Sequence, residues 1–279
     1  MSIRQQFTQW WMALTMCLWP AAVLANDTEL VFGVVPQESS SKLAEQWSPL
    51  LHRLSVQLER PIRFATAPDI PTFERRLWEG HYDIAYMNPY HYTVFSEEPG
   101  YRAVAFEATK LMRGIVVVPE THAAQTLQGL EGETVVFPAP AAFAATILVR
   151  AELDRLGVPY TPRYVSSHQS VYLNVQKGFA AAGGGIERTY NAAIEAGLTG
   201  TRVLWRSKGY IPHAFAVHPD LPTDDVLKVQ AVLTSLHETE EGKRSLDLAN
   251  LEALAAAKDS DWDEVRALEI SSLLAEQEL

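Results

Sequence analysis

The chain has a single cysteine, and it lies in a stretch expected to be removed. Cys17 is the only one among 279 residues, inside the apolar run Trp10 to Leu18. A weakly basic start (Arg4), that run, a break at Pro20 and the small residues around Val23-Leu24-Ala25 read as a secretory signal peptide over 1–25. An uncleaved anchor is the rival reading, although the run is short for a membrane span. The neighbours of Cys17, Leu14-Thr15-Met16, fit a lipoprotein cleavage box poorly, because Met16 is bulky where a small residue is needed. Loss of 1–25 leaves no cysteine for a disulfide. Positive charge is also scarce. Removing Arg4 and no acid leaves 22 basic against 34 acidic residues, a net charge of −12, so nucleic acid is not an expected partner.

Catalytic and metal signatures are missing too. There is no Gly-x-Ser-x-Gly elbow and no His-Glu-x-x-His or cysteine-based metal spacing. Gly183-Gly184-Gly185 lacks the lysine and spacing of a phosphate loop, and stands as either a close-approach segment or a flexible turn. No enzyme activity, cofactor or metal is expected. No later run resembles a transmembrane helix, so the mature chain reads as an exported, soluble periplasmic protein.

What the sequence does have is alternating strand and helix patterns. Leu30 to Val35 is a near-continuous apolar run, as in a strand buried on both faces. Leu43, Trp47, Leu50, Leu51 and Leu54 then fall on one side of a helix from Lys42 to about Leu58. Strands follow at Ile62–Thr66, Ile84–Tyr86 and Tyr101–Phe106, with a short helix ending at Gly80. A second series has strands at 134–137, 163–165 and 202–205 and helices at 141–156 and 168–177. Three helices are expected near 223–236, 240–250 and 261–276. The order implies an α/β fold with two lobes, each a mostly parallel sheet flanked by helices. Two crossing strands near 113–118 and 214–217 would join them. The lobes are 26–112 with 218–279, and 113–217.

The polar residues worth attention sit where strands run into helices. Tyr82 to Tyr92 is the densest such stretch: a strand, a break at Asn88-Pro89, and tyrosines, an asparagine and a histidine around it. Ligands in open α/β sheets sit beyond the carboxyl ends of strands. The candidate ligand residues are therefore Ser39 and Ser40, Tyr86, Asn88 and Tyr90, Ala141, Ala142 and Phe143, Ser167 and His168, and Arg188. Helix starts facing one another would offer free N–H groups and partial positive charge to a small anion. Each has a plainer reading: the serines as caps, the alanines as helix packing, His168 as a surface or capping residue, Arg188 as a solvated cation.

Several motifs in order resemble the phosphate/phosphite/phosphonate substrate-binding proteins of ABC importers. They are Val34-Val35-Pro36-Gln37, Ala67 to Phe73, Asp83 to Tyr92, Phe137 to Ala145, and Ser167 to Tyr172. The resemblance spans about 28 to 270. It implies a type II periplasmic binding fold, a small phosphorus oxyanion held between hinged lobes, an inner-membrane ABC permease as partner, and a monomer. A periplasmic sensor partnering a membrane histidine kinase would need the same cleft. Better-known phosphonate binders place serine and threonine hydroxyls where Ala141-Ala142-Phe143-Ala144 stands, a tyrosine near Met87, and ammonium-binding acids near Gly183-Gly184-Gly185. Of that set only His168 matches, which points away from aminoalkylphosphonates.

Overall fold

The structure is a computed structural model that describes residues 29–268 and residue 270. The expected signal peptide, Cys17 and most of the expected helix beyond Leu268 lie outside the described residues.

Chain order alternates strands and helices: β1 Leu30–Val34, α1 Ser40–Leu58, β2 Ile62–Ala65, α2 Ile70–Trp78, β3 Ile84–Met87, α3 Pro89–Phe95 and β4 Arg102–Glu107. The second series is β5 Gly114–Pro119, β6 Thr134–Phe137, α4 Leu148–Arg155, β7 Thr161–Tyr164, α5 His168–Gln176, β8 Ala182–Ile186, α6 Glu187–Glu195 and β9 Thr201–Arg206. The chain returns through β10 Ala214–Val217, α7 Thr223–Ser235, α8 Glu240–Leu248, β11 Leu254–Ala256 and α9 Asp263–Arg266.

Two sheets result, with strand orders β11-β4-β10-β3-β1-β2 and β7-β6-β8-β5-β9. Apart from β11, the two orders have the same layout: three parallel strands, one reversed strand, then a fourth running with the first three. The reversed strands are β10 and β5. Strand direction is therefore mostly parallel, as expected, while the pairings that β5 and β10 make are antiparallel. These two strands, expected to cross between lobes, are each embedded in one sheet. Ala214–Val217 pairs with β3 and β4 in the first sheet rather than ending the second series. The crossings are the segments 108–113 and 207–213, which are tied by a two-way backbone bridge between Met112 and Tyr210 (2.8 and 2.9 Å).

Local chemistry explains the elements that matter for the site. Ser39 caps α1 by accepting the Lys42 N–H, and Leu43, Trp47, Leu50, Leu51, Leu54 and Leu58 form the helix's buried stripe. Asp69 caps α2 through the Thr72 N–H, and hydrogen bonds from the Thr72 hydroxyl and then that N–H hold its carboxyl below the usual range. In β5, Ile115 and Val117 face one core with Val171, Tyr172 and Val175, while Val116 and Val118 face another with Phe137, Val149 and Leu153. That alternation is the period of two of a strand covered on both sides.

Gly183-Gly184-Gly185 is neither a ligand loop nor a flexible turn. It is the interior of β8, paired to β5 as Val117↔Gly183, Val116↔Gly184 and Ile115↔Gly185. A Cβ on Gly184 would lie 2.0 Å from the Ala145 carbonyl oxygen, and one on Gly185 2.5 Å from the Tyr172 hydroxyl. Gly184 lets the segment after β6 lie directly on the strand, and Gly183 and Gly185 do the same for α5 on the other face. That segment also departs from expectation. Phe143–Ile147 is a π-helical turn, and the regular helix begins only at Leu148. Ala141 to Leu148 pack largely into the core of the first sheet, with Trp47, Tyr86 and Phe215. The second series therefore meets the first at this turn.

Candidate ligand-binding site

The start of α3 touches the turn after β6 through one side chain. Asn88, 4% exposed, caps α3 by accepting the His91 N–H at its Oδ1 (2.8 Å). Its Nδ2 donates to the Ala141 carbonyl (3.1 Å). Asn88 and Ala141, two predicted residues 53 positions apart, are thereby joined. No side chain caps the π-helical turn, because Ala142 stands at its cap position. The first turn of a helix leaves N–H groups without intrahelical partners. Phe143 seats this turn against the crossing segments, with its ring edge-on to Tyr210 at 5.5 Å.

Three buried histidines gather nearby. His168, the first residue of α5, is 3% exposed, and Ser167 caps that helix by accepting the Ser170 N–H (3.1 Å). The His168 Nδ1 is buried without a partner. Burial, and then the charge of Arg188, push its imidazole down to about 4. His213 lies on the second crossing segment and is 2% exposed. Burial first, then Arg188, His91 and His168, hold it well below the ordinary imidazole value. His91 is wholly buried, with Nε2 3.2 Å from Glu74 Oε1. His168 and His213 are therefore neutral near pH 7.

Beside this cluster opens a cleft of about 540 Å³ between the two sheets. Its walls include Gln37, Trp47, Tyr86, Glu107, Arg188 and His213. Tyr86 stacks on His213 (4.7 Å, 11°) and leans on Trp47 (4.6 Å). Burial raises the Tyr86 phenol, so it stays a hydroxyl donor. Arg188 donates to Gln37 Oε1 (2.8 Å), and Gln37 Nε2 meets His213 Nε2 (3.0 Å). Arg188 thus spans from α6 to the loop after β1, across the gap between the sheets. Glu107 is buried, and desolvation raises its carboxyl.

Of the predicted residues, Tyr86 and Arg188 line the cleft, while Asn88, Ala141, Ala142 and Phe143 meet at the junction behind it. Ser39 and Ser40 are exposed at the start of α1 and do not line it; Ser39 is occupied as the cap. Tyr90 is buried within α3, in the core of the first sheet. Sequence reasoning left out Gln37 and His213. Gln37 belonged to a recognised motif, Val34-Val35-Pro36-Gln37, and could have been found there. His213 follows Pro212 in a segment with no pattern. Among the described residues, no group of three or more His, Cys, Asp or Glu is placed to hold a metal ion, and no helix is long and apolar enough to cross a membrane.

A sequence model of the family described as "ABC transporter, phosphonate, periplasmic substrate-binding protein" matches residues 32–262. The chain belongs to this family. Solved structures share the fold of this phosphonate-type binding protein at low identity. PhnD1 of Prochlorococcus marinus, solved with methylphosphonate, is 15% identical with a TM-score of 0.79, covering 87% of this chain and 97% of its own. A binding-protein component of an ABC phosphonate transporter from Pseudomonas aeruginosa is 16% identical with a TM-score of 0.79, covering 88% and 86%. The aliphatic sulphonate binding protein SsuA of Escherichia coli is 20% identical with a TM-score of 0.57, covering 79% and 77%. The fold is that of a type II periplasmic binding protein, and membership places the chain among periplasmic proteins that bind small ligands and partner an inner-membrane permease.

Proposed function

We propose that this protein captures a small phosphorus oxyanion (phosphate, phosphite or a phosphonate) between its two lobes and delivers it to an ABC permease. The observation that carries the reading is the Asn88–Ala141 contact. It brings a helix start from the first sheet against an uncapped helical turn from the second. Backbone N–H groups of that turn, the neutral His168 imidazole and the Tyr86 hydroxyl are the donors. Free backbone N–H groups carry partial positive charge and can hold an anion. The lobes divide at the segments 108–113 and 207–213, and closure is a hinge motion through them. The protein acts as a monomer in the periplasm after loss of residues 1–25, with no catalytic step and no nucleic-acid partner.

Thermal-shift measurements with phosphate, phosphite, methylphosphonate and sulfate test the reading, since a ligand that binds only the folded form raises its melting temperature. At least one phosphorus oxyanion should stabilise the protein. His168→Ala should weaken that ligand by about 1–3 kcal/mol in calorimetry. No shift with any of the phosphorus anions removes the ligand assignment.

A further inference from the structure

The oxyanion reading leaves most of the cleft unused. The junction residues Asn88, Ala141, Ala142 and Phe143, and His168 as well, do not line the 540 Å³ space. That volume is within the range of small-molecule sites, about 300–1,000 Å³. A bare tetrahedral anion would leave it largely empty.

The hydrogen bonds on its wall fix what it can recognise. Arg188 donates to Gln37 Oε1, so the other end of that amide is the NH₂ group. This NH₂ faces His213 Nε2 at 3.0 Å, and Nε2 must then carry the lone pair. In a neutral ring the proton sits on Nδ1. The His213 Nδ1 makes no hydrogen bond among the described residues, and the residue lines the cleft. Stacking on Tyr86 holds the ring in place. The wall therefore presents an N–H donor.

Arg188 adds a charge that nothing neutralises by contact. It donates to neutral oxygens, Gln37 Oε1 and the Asn250 carbonyl (3.4 Å), lies against the Tyr86 hydroxyl, and makes no ion pair among the described residues. Three of the nearby acids pair with other cations. Glu38 pairs with Lys42, Glu187 with Arg206 (2.8 Å) and Glu252 with Lys110 (2.5 Å). Burial raises the Glu107 carboxyl against the opposing charges of Arg188 and Lys110, with neither of which it forms an ion pair among the described residues, and Glu195 and Asp247 are exposed.

We infer that Arg188, Gln37 and His213 form a second, donor-only subsite, and that the ligand is a phosphorus oxyanion carrying a second anionic oxygen group, a carboxylate or another phosphoryl. This rests on the oxyanion reading and narrows it. The Arg188–Gln37 bond sets the His213 tautomer, so Gln37 is a positioning residue. Arg188 and His213 touch the ligand.

Calorimetry on the purified mature protein with phosphonoacetate, methylphosphonate and 2-aminoethylphosphonate tests the inference. Phosphonoacetate should bind at least about tenfold tighter than either of the others. Arg188→Gln should bring the phosphonoacetate-to-methylphosphonate ratio to within about threefold. Gln37→Glu should do the same, because its carboxylate captures the guanidinium and requires a proton on His213 Nε2. Equal or tighter binding of methylphosphonate or 2-aminoethylphosphonate overturns the inference. So does a ratio unchanged in both variants. If neither variant folds by circular dichroism, the wild-type ranking decides alone. Binding of methylphosphonate without a phosphonoacetate advantage defeats only the second subsite; silence from all three ligands defeats the oxyanion reading with it.

Discussion

Replacing Asn88 tests the bonds one side chain makes: the cap to the His91 N–H, the bond to the Ala141 carbonyl, and a contact of Nδ2 with the His91 ring at 3.2 Å. Asn88→Ala removes the cap bond to the His91 N–H, and losing such a cap costs about 1 kcal/mol. It also strips the Ala141 carbonyl of its 3.1 Å donor; a buried acceptor left unpaired costs about 1–3 kcal/mol. The sum is about 2–4 kcal/mol of stability. Asn88→Asp keeps the cap and removes both Nδ2 contacts, with a buried carboxylate adding to the cost. A carboxylate still accepts from the His91 N–H, but it sets an acceptor against the Ala141 oxygen. The loss of about 1–3 kcal/mol should then remain even though the cap is kept. Urea unfolding of both variants measures the stability terms. Calorimetry with the phosphorus oxyanion that stabilises the wild type measures the binding term. Because the bond ties the first series to the second, both variants should also bind that ligand more weakly. An Asn88→Asp protein within about 0.5 kcal/mol of wild type, with unchanged affinity, would refute the claim that this contact assembles the site.

Two further outcomes follow from buried groups. Gly184→Ala places a Cβ 2.0 Å from the Ala145 oxygen and 2.7 Å from the Phe137 ring, and should cost about 3 kcal/mol or more in urea unfolding; an unchanged unfolding midpoint would mean the π-helical turn does not rest on β8. His168 titrates at about 4 when folded and near 6.5 when unfolded, so the unfolded chain takes up the proton first as pH falls. Its contribution, at most about 3 kcal/mol, is complete above pH 6.5 and is lost as pH drops toward 4, with His213 acting in the same direction. Unfolding at pH 7.5 and 5 should show the loss, and His168→Asn should shrink it; stability that rises on acidification would contradict the burial of these rings.

How much of this was legible in the sequence depended on range. The buried stripe of α1 and the caps at Ser39 and Ser167 are local patterns, and they stand where expected, whereas Asn88, expected as a turn and ligand residue, proves to be the cap of α3. The same locality misled at Ser39, because a cap and an anion donor look alike until burial is known. The triple glycine could not be placed without register. Its meaning comes from a carbonyl at Ala145 and a ring at Tyr172, neither of them adjacent in the chain. Strand β10 carries an ordinary apolar run, and nothing within it says that it inserts between β3 and β4. The alanines at 141, 142, 144 and 145 carry no polar signal, so the π-helical turn was read as plain helix. His213 acquires its role only through Gln37 and Arg188, which come from the first and second series respectively.

A structure of the protein crystallised with methylphosphonate tests the central claim most directly. The phosphonate should lie between the two sheets, within hydrogen-bonding distance of the His168 ring and of backbone N–H groups at the start of the 143–147 turn. A phosphonate bound on an outer face, or one held away from both His168 and that turn, would contradict the account.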